Sequence, residues 1–345
     1  MRERPLLAVT MGDPVGIGPE VIVKTFTRDQ GCDAVVFGDL ETLRDAARVS
    51  SVELELFPVD SVPVDSVPFS SRPGLAVWPI AKLRAEERVP ARPTPASDRA
   101  QLDAIFAAVE AVELGNADAI VTAPISKASI ARCGAPWPGH TELLAELAAK
   151  RRGTQPVTPV MMLAGERLRV VTLTTHIALA EVPRVLTESL VREAIELVFR
   201  ELRESFDLER PKIALAGLNP HAGEGGLFGD EELRVFGPAL AALRAKGIEV
   251  SGPIPGDAVF RRALAGEFDV VVSGYHDQAL IPLKLVDFER AVNVTLGLPF
   301  VRTSVDHGTA YDLAGKGVAS NASFEAATAL AVSMVRGRAK RHRTD

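Results

Sequence analysis

The chain has 345 residues, of which 47% are hydrophobic and 24% charged, and its formal net charge at pH 7 is -6. This composition is typical of a folded globular protein and excludes a largely disordered chain. Nucleic-acid-binding proteins typically carry a net positive charge, so the net negative charge argues against that class. No apolar run approaches the roughly 18 residues of a membrane-spanning helix, and residues 1–10 do not resemble a signal peptide. We therefore expect a cytoplasmic protein with neither nucleic acid nor membrane as a partner.

Apolar runs typical of strands alternate along the chain with amphipathic stretches typical of helices. The predicted strands are 6–10, 34–37, 119–122, 168–174, 212–216 and 269–272, and the predicted helices are 40–49, 97–114, 188–206 and 231–246, with others beginning near Pro19 and at His140. This alternation predicts an α/β fold with mostly parallel sheets, and the length indicates two domains. Cys32 and Cys133 are the only cysteines, too few for a disulfide framework or a thiolate metal site.

The first strand leads into a glycine-rich turn, residues 11–20. Glycines before a proline at the first helical position suit a plain tight turn, which is slightly favoured, or a loop whose amides approach an anion. The spacing matches neither nucleotide-binding fingerprint. Residues 52–95 are rich in proline and contain a tandem repeat, 59–63 and 64–68. This composition excludes long helices and predicts an extended surface excursion with short edge strands, to which no function is assigned.

Two helix starts follow. Ser97 is expected to cap a helix whose apolar residues recur every three or four positions until Gly115. The rigid turn 136–139 opens a helix at His140. A helix start carries free amides and a partial positive charge, so His140 and the Thr141 hydroxyl are suited to bind a phosphate or carboxylate. Thr141 as a mere helix cap is an equally good interpretation of this segment alone.

Three histidines each follow an apolar strand: His176, His221 and His276. The carboxyl ends of strands are where α/β enzymes keep their chemistry. Three neutral imidazoles with open positions make a site for a divalent cation that polarises a substrate oxygen. Their wide spacing matches no local metal motif, and a single loop histidine more often bonds a neighbouring carbonyl.

Lys284, Asn293 and Arg302 come within a short span after the third histidine. A point charge, a neutral donor and a bidentate guanidinium together suit a phosphate monoester. Surface charge is the alternative, and Arg302 fits it least because the segment 298–304 is otherwise apolar.

Several motifs, in order along the chain, resemble the 4-hydroxythreonine-4-phosphate dehydrogenase family of pyridoxal phosphate biosynthesis. They are Gly12-Asp13-Pro14 with Gly16-Ile17-Gly18-Pro19-Glu20, Gly139-His140-Thr141-Glu142, Leu218-Asn219-Pro220-His221-Ala222-Gly223-Glu224, Tyr275-His276-Asp277-Gln278 and Val305-Asp306-His307-Gly308-Thr309-Ala310. The segment 307–317 is also similar to the adenine-side cofactor loop of isocitrate and isopropylmalate dehydrogenases, with Tyr311 where those relatives carry proline.

The resemblance implies a homodimer of isocitrate/isopropylmalate dehydrogenase-like subunits with two α/β domains and the active site in the interdomain cleft. Residues 1–128 with 303–345 would form the cofactor-side domain, and 129–302 the domain for metal, substrate and dimerisation. A divalent metal, Zn, Mg or Co, would be held by histidines of both chains, with His176 and His276 on opposite sides of the shared site.

Residue roles follow from the same resemblance. The implied metal ligands are His176, His221 and His276; the substrate contacts are His140, Thr141, Lys284, Asn293 and Arg302; the catalytic candidates are His140, Lys284 and Asp257; and the residues that bind NAD or NADP are His307, Gly308, Thr309, Ala310 and Asp312.

The implied reaction is oxidation of 4-phosphooxy-L-threonine at C3, followed by decarboxylation to 3-amino-2-oxopropyl phosphate. Ala178 and Ala279 stand where the biosynthetic enzymes usually carry proline and glycine. The alternative substrate is therefore 4-phospho-D-threonate or 4-phospho-D-erythronate. From other classes, an anion-binding protein usually needs an export signal, and a metal-dependent aldolase or hydrolase would use the same histidines without a dinucleotide.

Overall fold

The computed structural model of the protein describes residues 3–60, 74–137, 139–155 and 157–341. The contacts divide the chain into two compact units, a first unit of residues 1–159 and 298–339 and a second unit of residues 160–297 and 340–345. The tandem repeat 59–68 lies largely outside the described residues.

The strands are β1 (Leu6–Thr10), β2 (Asp33–Gly38), β3 (Leu56–Pro58), β4 (Leu75–Pro79), β5 (Ala119–Thr122), β6 (Val160–Ala164), β7 (Arg169–Thr172), β8 (Ile213–Ala216), β9 (Val250–Ile254), β10 (Val270–Ser273), β11 (Val292–Leu296) and β12 (Val301–Val305). The helices are α1 (Gly18–Thr25), α2 (Leu40–Val49), α3 (Pro95–Glu113), α4 (Lys127–Arg132), α5 (His140–Arg152), α6 (Val182–Val185), α7 (Glu188–Glu204), α8 (Gly237–Ala245), α9 (Gly256–Leu264), α10 (His276–Asp287) and α11 (Ala322–Arg341). In the part of the chain that the structure describes, no helix is both long and apolar enough to cross a membrane.

The sheet of the first unit runs in the order β3-β4-β2-β1-β5-β12, and every pair in it is parallel. Its central strands β1 and β5 are buried along their whole length. Such continuous apolar strands are typical of parallel sheets covered on both faces. The prediction of an α/β fold with mostly parallel sheets is therefore confirmed.

In the second unit β7, β10, β8 and β9 pair parallel in that order. β6 is antiparallel to both β7 and β11. The sequence interpretation did not predict β6, β9 or β11, because five-residue runs with mixed burial give a weak periodic signal.

Each unit has its own apolar core. In the first unit, Leu143 and Leu144 of α5 are buried in one cluster with Ile120 of β5 and Phe300. Residues 140–152 thus pack with the first unit, whereas the predicted boundary at 128/129 assigned them to the second domain. In the second unit, Val170 and Val271 lie in one cluster with residues of β8 and α10.

One local expectation, the cap of helix α3, changes in detail. Helix α3 begins at Pro95, and its N-cap is Thr94, whose side chain accepts from the Ser97 amide 3.1 Å away. Ser97 is therefore the third residue of a capping box and not the cap itself, because the proline already fixes the first helical position.

The glycine-rich turn 11–20 is entirely buried, and several of its amides donate to protein acceptors. The Asp13 amide donates to the Pro124 carbonyl at 2.8 Å, and the Ile17 amide to the Thr309 carbonyl at 3.0 Å. Gly12 has a φ of 73°, and a Cβ there would lie 2.3 Å from the Pro124 oxygen. The turn is thus a packed structural element, as the favoured interpretation expected.

The packing of α5 gives a stability prediction. Leu143 is fully buried, so Leu143→Ala should lower the free energy of unfolding by about 2 to 5 kcal/mol through lost burial and a residual cavity. Leu114→Ala is the matched control, because Leu114 is 63% exposed and its loss should cost within about 0.5 kcal/mol. Denaturant titration followed by circular dichroism measures both. Equal midpoints for the two variants would contradict the burial of α5.

Candidate active site

His176 and His276 lie beyond the carboxyl ends of two neighbouring strands, β7 and β10. These strands are parallel, with Ser273 of β10 opposite Thr172 of β7. Each chain segment leaves the sheet at the same edge, and the two imidazole rings lie 5.8 Å apart between centroids. The structure therefore brings two of the three predicted metal ligands together within one chain.

A carboxylate orients the second of these rings. The Nδ1 atom of His276 lies 2.7 Å from Oδ1 of Asp277, and this hydrogen bond leaves Nε2 available for a ligand. Carboxylates that orient metal-binding histidines in this way fix the tautomer and raise the basicity of the other nitrogen. The sequence interpretation gave Asp277 no role, although its place next to a predicted ligand is a usable signal.

Gln278 fixes the loop that carries His276. Its Oε1 accepts from the Gly274 amide at 2.8 Å, and its Nε2 donates to the Gly217 carbonyl at 2.7 Å. One side chain thus ties the end of β10 to the end of β8. The sequence interpretation also missed this positioning role, since the contact joins segments far apart along the chain.

His221 lies in a left-handed turn after β8. His221, Ala222 and Glu224 have φ values of 52°, 52° and 44°, which non-glycine residues rarely adopt. Asn219 stabilises the turn, because its Nδ2 donates to Glu231 at 2.6 Å and to Glu232 at 2.9 Å. The His221 side chain is 70% exposed and contacts the Phe228 ring. Such strained, clamped and exposed turns concentrate at functional sites.

The three histidines do not form one set. Among the described residues, no three side chains of His, Cys, Asp or Glu lie close enough together to hold a metal ion. The expectation that His176 and His276 stand on opposite sides of a shared site is wrong, because they are neighbours in the same chain. The sequence could not show this, since it does not tell which strands are adjacent in the sheet.

Arg302 and His140 form a second constellation, in the first unit. Arg302, on β12, is only 3% exposed, and its Nη2 donates to the Thr122 hydroxyl at 2.7 Å. Burial lowers the pKa of Arg302 to about 9. Burial, and next the positive charge of Arg302, lower the pKa of His140 well below its usual 6.5. At neutral pH the pair is thus a buried cation beside a neutral imidazole, and the Nε2 atom of His140 is buried without a hydrogen-bond partner.

The start of α5 adds amide donors to this constellation. The N-cap is Gly139, which has no side-chain cap, and Thr141 lies inside the first turn. The interpretation of Thr141 as a mere cap is therefore excluded. Because helix N-termini attract anions, the uncapped amides, the Thr141 hydroxyl and Arg302 together suit a phosphate or carboxylate.

The remaining substrate and catalytic candidates lie in the second unit. Lys284 and His276 both line a cavity of about 470 Å³ along α10. Asn293, on β11, has a buried Oδ1 atom without a hydrogen-bond partner. Asp257 is exposed in the first turn of α9. The structure thus groups Lys284 with His276, whereas no described contact joins Asp257 to either.

The predicted cofactor residues form an irregular loop of the first unit. His307, Gly308 and Asp312 are exposed, and Thr309 and Ala310 are partly buried. Ala310 has a φ of 42°. The neighbouring Tyr311 donates a hydrogen bond of 2.6 Å to Oδ2 of Asp13.

The chain is similar to known proteins over nearly its whole length. The family model described as pyridoxal phosphate biosynthetic protein PdxA matches residues 30–331. The 4-hydroxythreonine-4-phosphate dehydrogenase of Geobacter metallireducens is 47% identical over 96% of both chains. The enzyme of the same name from Methylorubrum populi is 46% identical over 95% of this chain and 94% of that protein.

Solved structures give the same result. The crystal structure of 4-hydroxythreonine-4-phosphate dehydrogenase from Klebsiella pneumoniae is 38% identical, covers 96% of this chain and 99% of that chain, and has a TM-score of 0.83. A match of family model, sequence and fold over nearly the whole length goes beyond what short motifs establish. This chain therefore belongs to the PdxA family of pyridoxal phosphate biosynthetic proteins, a family of dehydrogenases.

Proposed function

We propose that the protein oxidises 4-phosphooxy-L-threonine at its C3 hydroxyl with NAD as acceptor, and that the product loses its carboxylate as carbon dioxide to give 3-amino-2-oxopropyl phosphate. The observation that carries this proposal is the His176–His276 pair with its orienting carboxylate. Relatives that are 46% to 47% identical bear the name of this dehydrogenase, which supports the same substrate.

The residues fit a divalent metal. His276 has one ring nitrogen engaged by Asp277 and the other available, and His176 lies beside it. His221 of a second subunit completes the proposed set of three. Imidazole ligands favour Zn or Co over Mg, which prefers oxygen. A bound cation would polarise the hydroxyl and carboxylate oxygens of the substrate.

The phosphate group is assigned to His140, Thr141 and Arg302, with Lys284 and Asn293 as further substrate contacts. A phosphate would neutralise the buried guanidinium charge of Arg302, which is costly to keep in an apolar environment. The neutral imidazole of His140 still has a buried nitrogen that can donate to a phosphate oxygen. Within the first unit, His140, Thr141 and Arg302 thus give charge, geometry and direction to one anionic group.

Proton transfer is assigned to Lys284 first. Its side chain lines the same cavity along α10 as His276, so a substrate that fills this cavity would contact both residues. A lysine ammonium can return a proton to the carbon that loses the carboxylate. His140 is better suited to phosphate than to acid-base work, and Asp257 remains a candidate on the resemblance alone.

The nicotinamide cofactor is assigned to the loop of His307, Gly308, Thr309, Ala310 and Asp312. Exposed backbone groups and the left-handed Ala310 support a loop shaped for a ligand. We assign NAD as the acceptor from the family chemistry. Turnover with NADP in place of NAD tests the cofactor preference.

We propose a homodimer that shares its active sites. Large apolar side chains are exposed on α10 and at its C-cap, where Ile281, Leu285 and Phe288 are 60%, 81% and 73% exposed. A second exposed group, Leu227 with Phe228, adjoins His221. Contiguous exposed apolar surface marks an association site. We propose that a second copy of this chain covers this apolar surface, because its His221 would complete the metal site begun by His176 and His276.

The alternative substrates, 4-phospho-D-threonate and 4-phospho-D-erythronate, are favoured by Ala178 and Ala279. Ala178 has a φ of -61°, which a proline would share, and Ala279 is buried within helix α10. The φ of residue 178 suits alanine and proline alike, and turnover with each substrate decides between the alternatives.

The reaction is tested by turnover with each phosphorylated acid in turn. NAD, Zn or Co, and 4-phosphooxy-L-threonine should give reduced nicotinamide and an equal amount of carbon dioxide. The His176→Ala variant is the negative control. Faster turnover with 4-phospho-D-threonate or 4-phospho-D-erythronate would assign the alternative substrate, and no reduced nicotinamide with any of them would overturn the proposal.

Arg302→Ala tests the phosphate assignment. The substitution should weaken apparent substrate binding by about 2 to 4 kcal/mol, because it removes one partner of a buried charge pair. The matched control is the substrate without its phosphate, whose weak binding should not change in the variant. Unchanged KM for the phosphorylated substrate in a folded variant would contradict the assignment.

Subunit mixing tests the shared site. When His221→Ala and His276→Ala chains are mixed, each mixed dimer should keep one site with all three ligands, giving up to about a quarter of wild-type activity after statistical exchange. Mixing His176→Ala with His276→Ala is the matched control and should restore nothing, because every site then lacks one ligand. Recovery in the control mixture, or none in the first after verified exchange, would contradict this arrangement.

A further inference from the structure

The loop of residues 306–321 has no regular secondary structure, so it depends on side chains for its shape. Helix α1 supplies several of them. Glu20 accepts from the amides of Gly315 at 2.6 Å and Gly317 at 2.9 Å. Lys24 donates to the carbonyls of Gly317 and Ala319, both at 2.7 Å. These contacts fix the second half of the loop.

The first half of the loop is fixed differently, on the glycine-rich turn. The Ile17 amide donates to the Thr309 carbonyl at 3.0 Å. The Tyr311 hydroxyl donates to Oδ2 of Asp13 at 2.6 Å. Between these two contacts lies Ala310, whose φ of 42° is unfavourable for an alanine. The unusual backbone is therefore held from both sides.

Asp13 is well suited to hold the tyrosine. It is fully buried, and its other oxygen accepts from the Val15 amide at 3.1 Å. Burial, opposed by the hydrogen bond from Tyr311, raises the pKa of Asp13. Burial and then the Asp13 carboxylate raise the pKa of Tyr311, so the phenol keeps its proton and donates.

We propose that Tyr311 is a positioning residue for the dinucleotide: its hydrogen bond to Asp13 holds residues 307–312 in the conformation that binds NAD. The inference rests on the proposed function, in which this loop binds the cofactor. In this proposal the buried glycine-rich turn 11–20 has a role, because its residues Asp13 and Ile17 bind the cofactor loop.

Tyr311→Phe removes only the hydroxyl. The Kd for NAD, by calorimetry on the intact protein, and the KM for NAD should both rise roughly five- to tenfold, the effect of losing one hydrogen bond. The kcat at saturating NAD and the KM for the phosphorylated substrate should stay within about twofold. Val318→Ala is the matched control, because Val318 is 65% exposed in the same loop and takes no part in the hydrogen bonds that hold the loop on α1 and on the glycine-rich turn.

The outcomes are distinguishable. If the wild-type protein does not bind NAD, the proposed function fails. If it binds NAD and folded Tyr311→Phe binds equally well, the positioning role fails. A similar fold-change in kcat, which would fall, and in both KM values, which would rise, together with a lowered melting temperature, would assign Tyr311 a general structural role. That result would also overturn the inference. Should Tyr311→Phe not fold, Asp13→Leu, which is close in size and removes the acceptor, provides the same comparison.

Discussion

The parallel pairing of β7 with β10 is the constraint on which the candidate site depends. Because the two strands run in the same direction with Thr172 opposite Ser273, the loops after them leave the sheet side by side. His176 and His276 become neighbours for that reason, although a hundred residues separate them along the chain. Asp277 and Gln278 then fix the second histidine and its loop, so the pair is held before any ligand arrives.

Charge is distributed in the first unit to favour an anion. A buried guanidinium at Arg302 keeps the adjacent His140 imidazole neutral, since both burial and the cation disfavour a second positive charge. The uncapped start of α5 adds amide donors without adding charge. The arrangement suits a phosphorylated substrate better than a free cation or a neutral sugar, and it uses residues of β12 and of the start of α5.

Much of this followed from the sequence, and the exceptions have physical causes. Histidines after apolar strands predicted a site at the sheet edge, because a strand's carboxyl end is readable from its pattern. The division of His176 and His276 between subunits was wrong, because strand adjacency is not encoded in local pattern. The left-handed turn at His221 and the Tyr311–Asp13 hydrogen bond were also beyond prediction, since both depend on contacts between distant segments.

The central claim is that two histidines of one chain and one of a second chain hold a single metal. Anomalous diffraction at the zinc edge, from crystals of the protein grown with Zn, tests it most directly. We expect one metal per site, about 2.0 to 2.1 Å from ring nitrogens of His176 and His276 of one subunit and of His221 of the other. A metal bound by three histidines of the same chain, or none at the His176–His276 pair, would contradict the account.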